Sequence, residues 1–342
     1  MATSRRRRLR TALWLILVCV PVALGYEYVS WYLDLGVGHV SWVGAFIGVV
    51  IALPLAVLEE SGFDERMRRL PFTVAIVTKA VVYIASLLVA FMSAGLLIGS
   101  LNGLGMADFY ESLGDPDYYI QAGVGFVLYL VIVFVRHIDR LLGPGVLLRY
   151  ILGRYHRPRR ETRIFMFLDL KSSTVLGEAM KQEDYYGLLN EFFRDISGPV
   201  LNRSGEIYEY VGDEAVITWT DERGIRDANC VQVFRDIDRV IDGKRDWYMA
   251  RYGVVPEYRA GVHGGEVIAA EMGDLKRALV FNGDVLNTAS RIQGECKRLD
   301  RRLLSSAELV SRLALPSSLT PEPMGPAQLR GKSEPVELVA LA

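Results

Sequence analysis

Four long apolar runs set the first limit on this chain. Crossing ~30 Å of hydrocarbon takes about 20 mainly apolar residues in a helix. Residues 12–33, 40–58, 72–100 and 118–135 each supply such a run. A water-soluble domain has no use for four of them in succession, so the sequence predicts four membrane spans. Taken alone, the first run behind Arg5, Arg6, Arg7, Arg8 and Arg10 resembles a secretory signal peptide. The three runs that follow argue for a first span instead. Tyr26, Tyr28, Trp31 and Tyr32 near its far end match an interfacial aromatic belt.

The basic residues give an orientation. Residues 34–39 and 102–117 contain no Lys or Arg, whereas residues 1–11, the 59–71 turn (Arg66, Arg68, Arg69) and the chain after Arg136 are rich in them. The positive-inside rule then places both termini in the cytoplasm, with the chain as a multi-pass protein of the cell (inner) membrane. Lys79 stands at the cytoplasmic edge of the third run, where a lysine can snorkel, so it is no sign of transport. Gly44 and Gly48 form a GxxxG that would let helices approach closely.

The expected organisation is a basic N-terminus (1–11), a four-helix membrane domain (12–135), a juxtamembrane connector (136–160) and an α/β domain (161–342). The connector mixes Ile138, Leu141, Leu142, Val146, Leu147, Ile151 and Leu152 with Arg140, Arg149 and Arg154, a pattern suited to anionic membrane lipid. Gly143-Pro144-Gly145 prevents a single helix there. The formal net charge of −1 conceals this uneven placement. No basic face persists through the C-terminal half, which argues against general nucleic-acid binding. Cys19, Cys230 and Cys296 are too scattered for a zinc site or a disulfide framework.

In the C-terminal part, strand-like and helix-like segments alternate, as in an α/β sandwich. Ile164–Leu168 predict a strand ending at Asp169. A helical stretch covers about 173–201, with Leu188, Leu189, Phe192, Phe193 and Ile196 at helical spacing. Ile207–Trp219 predict a hairpin around Gly212-Asp213. A second helical stretch runs over 227–248. Strands are expected at Tyr258–His263 and Glu266–Glu271, separated by Gly264-Gly265. A strand at 277–281 leads into a helix through Gln293, and the tail 329–341 predicts a turn and a strand.

The first strand ends at Asp169, and the turn of the hairpin holds Asp213. Two hard carboxylates brought together could seat Mg²⁺ ions carrying a nucleoside triphosphate; two unrelated turn aspartates is the plainer alternative. Asn287 and Arg291, four residues apart, share a helix face. An amide and a guanidinium there suit a ribose and a phosphoryl group gaining charge. Lys332, in the turn Arg330–Pro335, could reach a phosphate.

Over residues 162–340 the chain resembles the class III nucleotidyl cyclases, the adenylate and guanylate cyclases. The resemblance rests on FLDLKSST, GEIYEYVGDEAV, RAGVHGGEV, FNGDVLNTASRIQ and LRGKSEPVELVAL, in the family's order. It implies a ferredoxin-like α/β fold that works as a head-to-tail homodimer. It implies two ions, Mg²⁺ or Mn²⁺, held by Asp169, Asp213 and the Leu170 carbonyl. Asn287 matches the ribose-orienting asparagine, Arg291 the transition-state arginine and Lys332 the terminal-phosphate lysine. The 170–174 backbone, with Ser172, Ser173 and Thr174, would line the phosphates. The aspartates and the Asn/Arg helix of one site would come from opposite chains.

Two base-selecting positions depart from the adenylate pattern. Glu209 stands where adenylate cyclases commonly have Lys, and Val280 where they have Asp or Thr. Glutamate at the first position is the guanylate choice, and Val280 offers no hydrogen bond. The expectation is ATP as substrate on the family-level prior, with GTP or another triphosphate as the alternative. A diguanylate cyclase would share a Gly-Asp-Glu hairpin but needs a glycine at Val211 and leaves Asn287/Arg291 unexplained. A degenerate, non-catalytic receptor is the other alternative.

Overall fold

The computed structural model describes residues 155–341 apart from 275, 276 and 318, together with Gly153 and scattered residues between 16 and 135. By its contacts the chain divides into Met1–His137 and Ile138–Ala342. The four expected spans and the connector fall largely outside the described residues. Among the described residues no helix is long and apolar enough to cross a membrane. Those described between Val74 and Leu96 are all helical.

The second unit is built on β1 (Arg159–Leu170), β2 (Glu206–Val211), β3 (Glu214–Thr220), β4 (Tyr258–Met272), β5 (Ala278–Asn282), β6 (Leu303–Ser306), β7 (Pro321–Ala327) and β8 (Val336–Leu341). They form one sheet in the order β2-β3-β1-β4-β6-β8-β7, with β5 also on β4. Among the described residues only β4 and β6 pair in parallel. The helices are α1 (Ser173–Ala179), α2 (Gln182–Asn202), α3 (Asp221–Ile225), α4 (Asn229–Gly243), α5 (Arg245–Tyr252), α6 (Asp284–Arg298) and α7 (Ala307–Ser311). This is the expected α/β architecture, on a mixed sheet.

The apolar run at 164–168 is buried on both sides because β1 is central. Ile164, Met166, Leu168 and Leu170 join Phe192 and Ile196 of α2 and Val233 and Ile237 of α4 in the larger core. Alternation turns Phe165 to the other face, where it meets Val267, Phe281 and, from α6, Val285 and Ala289. Asp169, four residues on from Phe165, therefore shares the face that α6 covers.

Several boundaries differ from expectation. The helical stretch at 173–201 is two helices, parted at Met180 and Lys181. The second stretch is likewise broken, near Lys244. β1 begins at Arg159, inside the expected connector. Gly264-Gly265 do not interrupt β4, which runs unbroken for 15 residues. These glycines are packing residues: a Cβ on Gly265 would lie 2.8 Å from Val285, and one on Gly264 would lie 3.1 Å from Ile164. The sequence reading also missed β6, α7 and β7. Pro321, Pro323 and Pro326 obscured β7, which tolerates them as the terminal strand of the sheet.

Candidate active site

Asp169 lies one residue from the end of β1, opposite Glu214 of β3 and Arg259 of β4 in strand register. Asp213 occupies the β2–β3 turn beside Gly212, whose φ of +64° needs a glycine. The hairpin thus folds Asp213 back to Asp169. Burial first, and then the neighbouring Asp213 carboxylate, push the Asp169 pKa up to about 6. Glu214 is pushed up to about 7 by burial, with Asp169 and Asp213 adding to it. The hydrogen bond from Gln293 Nε2 to Asp169 Oδ2 (3.1 Å) and the Arg259 charge act in the opposite direction.

Crowded, under-compensated carboxylates are a donor set that fits a hard divalent cation. Among the described residues no group of three or more His, Cys, Asp or Glu is arranged to enclose an ion.

Next to the pair, Ser172 is exposed in the left-handed region (φ 61°) at the N-cap position of α1, without a side-chain capping hydrogen bond. Ser173, the first residue of α1, shares a hydrogen bond with the Tyr185 side chain. Burial and the charge of Asp213 raise the Tyr185 pKa, so this phenol belongs to the same neighbourhood. Thr174 is exposed on α1, and Leu170 is buried, with the chain turning away at Lys171, whose N–H donates to the Glu257 carbonyl (2.7 Å).

A second group forms around α6. Asn287 is exposed on this helix. The Arg291 guanidinium lies over Gly331, where Nη2 would stand 3.4 Å from an added Cβ. Gly331 has φ +72°, a turn conformation that brings Lys332 to α6. Lys332 Nζ meets Asp284 Oδ2 at 2.5 Å, and Thr288 Oγ1 donates to the same oxygen at 3.3 Å. The Lys332 hydrogen bond is the main cause holding the Asp284 carboxyl below its usual range. Arg291 and Lys332 are therefore neighbours at the N-terminal half of α6.

The two groups lie on opposite sides of that helix. Gln293 follows Arg291 by two residues, about 200° around the axis at 3.6 residues per turn, and it is Gln293 that touches Asp169. One chain brings Asp169 to Asp213 and Arg291 to Lys332 without joining the two pairs.

Glu209 is exposed on β2 next to a register shift, and Val280 is half-buried on β5 opposite Ala270. Their neighbours Tyr208 and Phe281 bring β2 and β5 together, with ring centroids 5.1 Å apart. The Tyr208 hydroxyl also bonds to the Phe281 backbone. Arg163, fully buried, stacks 4.3 Å over the Phe281 ring and pairs with Glu161 (3.0 Å) and, more loosely, Glu206 at the start of β2 (3.7 Å). Sequence reasoning missed Gln293, Glu214, Tyr185, Asp284 and Arg163. Glu214 adjoins Asp213, and Gln293 lies opposite Arg291 on a helical wheel, so both carried a readable signal.

No protein-family model matches the chain. The chain is 32% identical over 348 residues to Adenylate cyclase 2 of Rhizobium meliloti (strain 1021), an alignment covering 98% of this chain and 92% of that protein. It is 24% identical over 313 residues to Adenylate cyclase 1 of the same organism, covering 85% of this chain and 44% of that protein. Among solved structures, a bacterial light-regulated adenylyl cyclase superposes with a TM-score of 0.55 at 20% identity, over 64% of this chain and 63% of that one. The superposition speaks for the fold, and the near full-length similarity to Adenylate cyclase 2 settles the relationship: the chain belongs to the class III adenylate cyclase family.

Proposed function

We propose that the protein converts ATP to 3′,5′-cyclic AMP and pyrophosphate at two equivalent sites shared across a homodimer. The observation that carries this reading is the split arrangement about α6. A crowded carboxylate pair and a cationic pair each form within one chain, and a second copy would bring them face to face around a triphosphate. The names of the similar Rhizobium meliloti proteins support the adenylate assignment.

In this reading Asp169, Asp213 and the Leu170 carbonyl would hold two divalent ions, Mg²⁺ or Mn²⁺. Bound there, such ions lower the pKa of a ribose hydroxyl and offset phosphate charge. Asn287 of the other chain orients the ribose so that O3′ stands in line with the α-phosphorus. Arg291, beside it, neutralises charge that grows on the α-phosphoryl oxygens as the O3′–P bond forms and the bond to pyrophosphate breaks. Lys332 exchanges Asp284 for the terminal phosphates, and Ser172, Ser173 and Thr174 line the same end. Glu209 and Val280 face the base. An exposed carboxylate at Glu209 would accept hydrogen bonds from a guanine edge, which favours GTP as the second reading.

Residues 12–135 are proposed to cross the cell membrane four times, with the connector on anionic lipid and both termini inside. The described residues of the third run support this: Val77, Val81, Leu88 and Val89 are helical and more than half exposed, at 61%, 60%, 61% and 66%. Recovery of the full-length protein in a carbonate-washed supernatant instead of the pellet would refute the anchoring.

The catalytic test uses Asp169→Asn and Arg291→Ala chains. Each is expected to be inactive as a homodimer. A mixed dimer of the two retains one intact site of a twofold pair, hence about half of wild-type turnover. Cyclic AMP production by either homodimer at wild-type rates, or none from the mixed dimer, would overturn the shared-site assignment. Turnover of ATP and GTP by the wild-type protein decides the base.

A further inference from the structure

α6 has two working faces, and the proposed reaction uses only one of them. Asn287 and Arg291 lie on the side that carries Lys332. The opposite side presents Gln293, whose Nε2 donates to Asp169 Oδ2 at 3.1 Å across 124 residues of sequence. The contact is fixed from both ends. Gly261 of β4 lies so near that an added Cβ would be 2.2 Å from the Gln293 backbone nitrogen and 2.6 Å from the Ala289 carbonyl oxygen. One turn further on, the buried Cys296 thiol donates to the Ala260 carbonyl at 3.4 Å. The helix therefore has no freedom to slide relative to the strand end that carries Asp169.

We infer that Gln293 is a positioning residue for Asp169. Its amide holds one carboxylate oxygen in place, beside the Asp213 carboxyl that the Asp169 side chain also meets. Outer-sphere partners of this kind orient a carboxylate ligand, and their removal typically costs about 10- to 100-fold in metal affinity. The inference rests on the proposed shared site and adds a consequence. Arg291 serves one site of the dimer, while Gln293 of the same helix steadies the carboxylate of the other. One rigid element thus enters both sites, through residues two positions apart.

Gln293→Leu keeps the side-chain volume and removes the donor. The first measurement needs no turnover: Mn²⁺ binding to the purified full-length protein, read by electron paramagnetic resonance without nucleotide. The dissociation constant is expected to rise about 10-fold, with the melting temperature in EDTA unchanged. Unchanged Mn²⁺ affinity in Gln293→Leu overturns the inference.

The second measurement uses the mixed dimer of Asp169→Asn and Arg291→Ala chains. Its single intact site takes Asp169 from the Arg291→Ala chain. Gln293→Leu placed on that chain is expected to raise the Mn²⁺ concentration for half-maximal activity. Placed on the Asp169→Asn chain, it should leave that concentration unchanged. An equal effect from either chain marks a general structural role and refutes positioning. A mixed dimer inactive before Gln293 is altered counts against the shared site itself, and the Mn²⁺ titration of the homodimer then still decides the role of Gln293.

Discussion

Gly261→Ala should disable the enzyme without touching any residue that meets substrate. A Cβ at this point of β4 would lie 2.2 Å from the Gln293 nitrogen, 2.6 Å from the Ala289 oxygen and 2.6 Å from the Gln293 Cα. All three are backbone or Cα atoms of α6, so no side chain can rotate aside. The shortest approach is about 1.2 Å short of the 3.4 Å at which ordinary contact begins, so the helix must retreat by roughly that distance. Overpacking of this kind costs about 1–3 kcal/mol. Displacing catalytic groups by about 1 Å can cost about 10²-fold in rate, and α6 carries both Asn287 and Arg291. The assays are a thermal melt and initial-rate kinetics on the full-length variant. The expected result is a lowered but cooperative melt together with a kcat reduced by about two orders of magnitude. Wild-type kcat in a variant whose melt is lowered would show that the seating of α6 does not set the site. Wild-type stability and wild-type kcat together would refute the packing argument itself.

Arg291→Ala should lower kcat about 10²–10³-fold while leaving the melting temperature and the dimer unchanged; size-exclusion chromatography with a rate assay checks both. Lys332→Ala should raise the KM for the triphosphate far more than it lowers kcat, since its proposed contact is with phosphates that are already charged in the ground state. The carboxylate cluster predicts a pH effect of definite sign in EDTA. Asp169 and Glu214 have folded-state pKa values raised above their ordinary ones, to about 6 and about 7, so the native state binds more protons than the unfolded chain over that interval. Their contribution to stability is therefore lost as pH rises from about 4 to 7. Asp213→Asn, which removes a raising influence on both, should melt above wild type at pH 7.5, and that gap should close by pH 4.5. A gap that widens on acidification would refute the assignment. Adding Mn²⁺ at pH 7.5 should stabilise wild type more than Asp213→Asn.

Segments with one dominant local pattern were legible in the sequence. β1 showed as an apolar run, the β2–β3 hairpin as β-rich flanks about Gly212-Asp213, and α6 as a periodic stretch after Gly283. The carboxylates and the Asn287/Arg291 pair followed, because each is a local feature of one of those elements. What escaped was set by distance along the chain. Gln293 reaches Asp169 across 124 residues, and Arg312 meets Asp221 across 91. No window of sequence contains both partners. Gly264-Gly265 misled for a related reason: glycines inside a strand signal a break locally, whereas here the space belongs to Val285, Ile164 and Leu309 from elsewhere in the fold. The short β6 and α7 lack the length for a periodic signal. The first 152 residues rest on composition and charge, read through the hydrocarbon thickness and the positive-inside rule.

The Cys296 thiol makes α6 observable. It is fully buried between the helix and β4, and burial pushes its pKa up to about 12. In the closed molecule it is both shielded and protonated, so an alkylating reagent has no thiolate to attack. Modification requires the helix to part from the strand, and the labelling rate then counts those partings. Cys230, equally enclosed on α4 and also raised to about 12, reports on the opposite face of the sheet. The enzyme thus carries two native clocks, one on each side of its central layer, and a nucleotide that clamps only the α6 side should slow one and leave the other running.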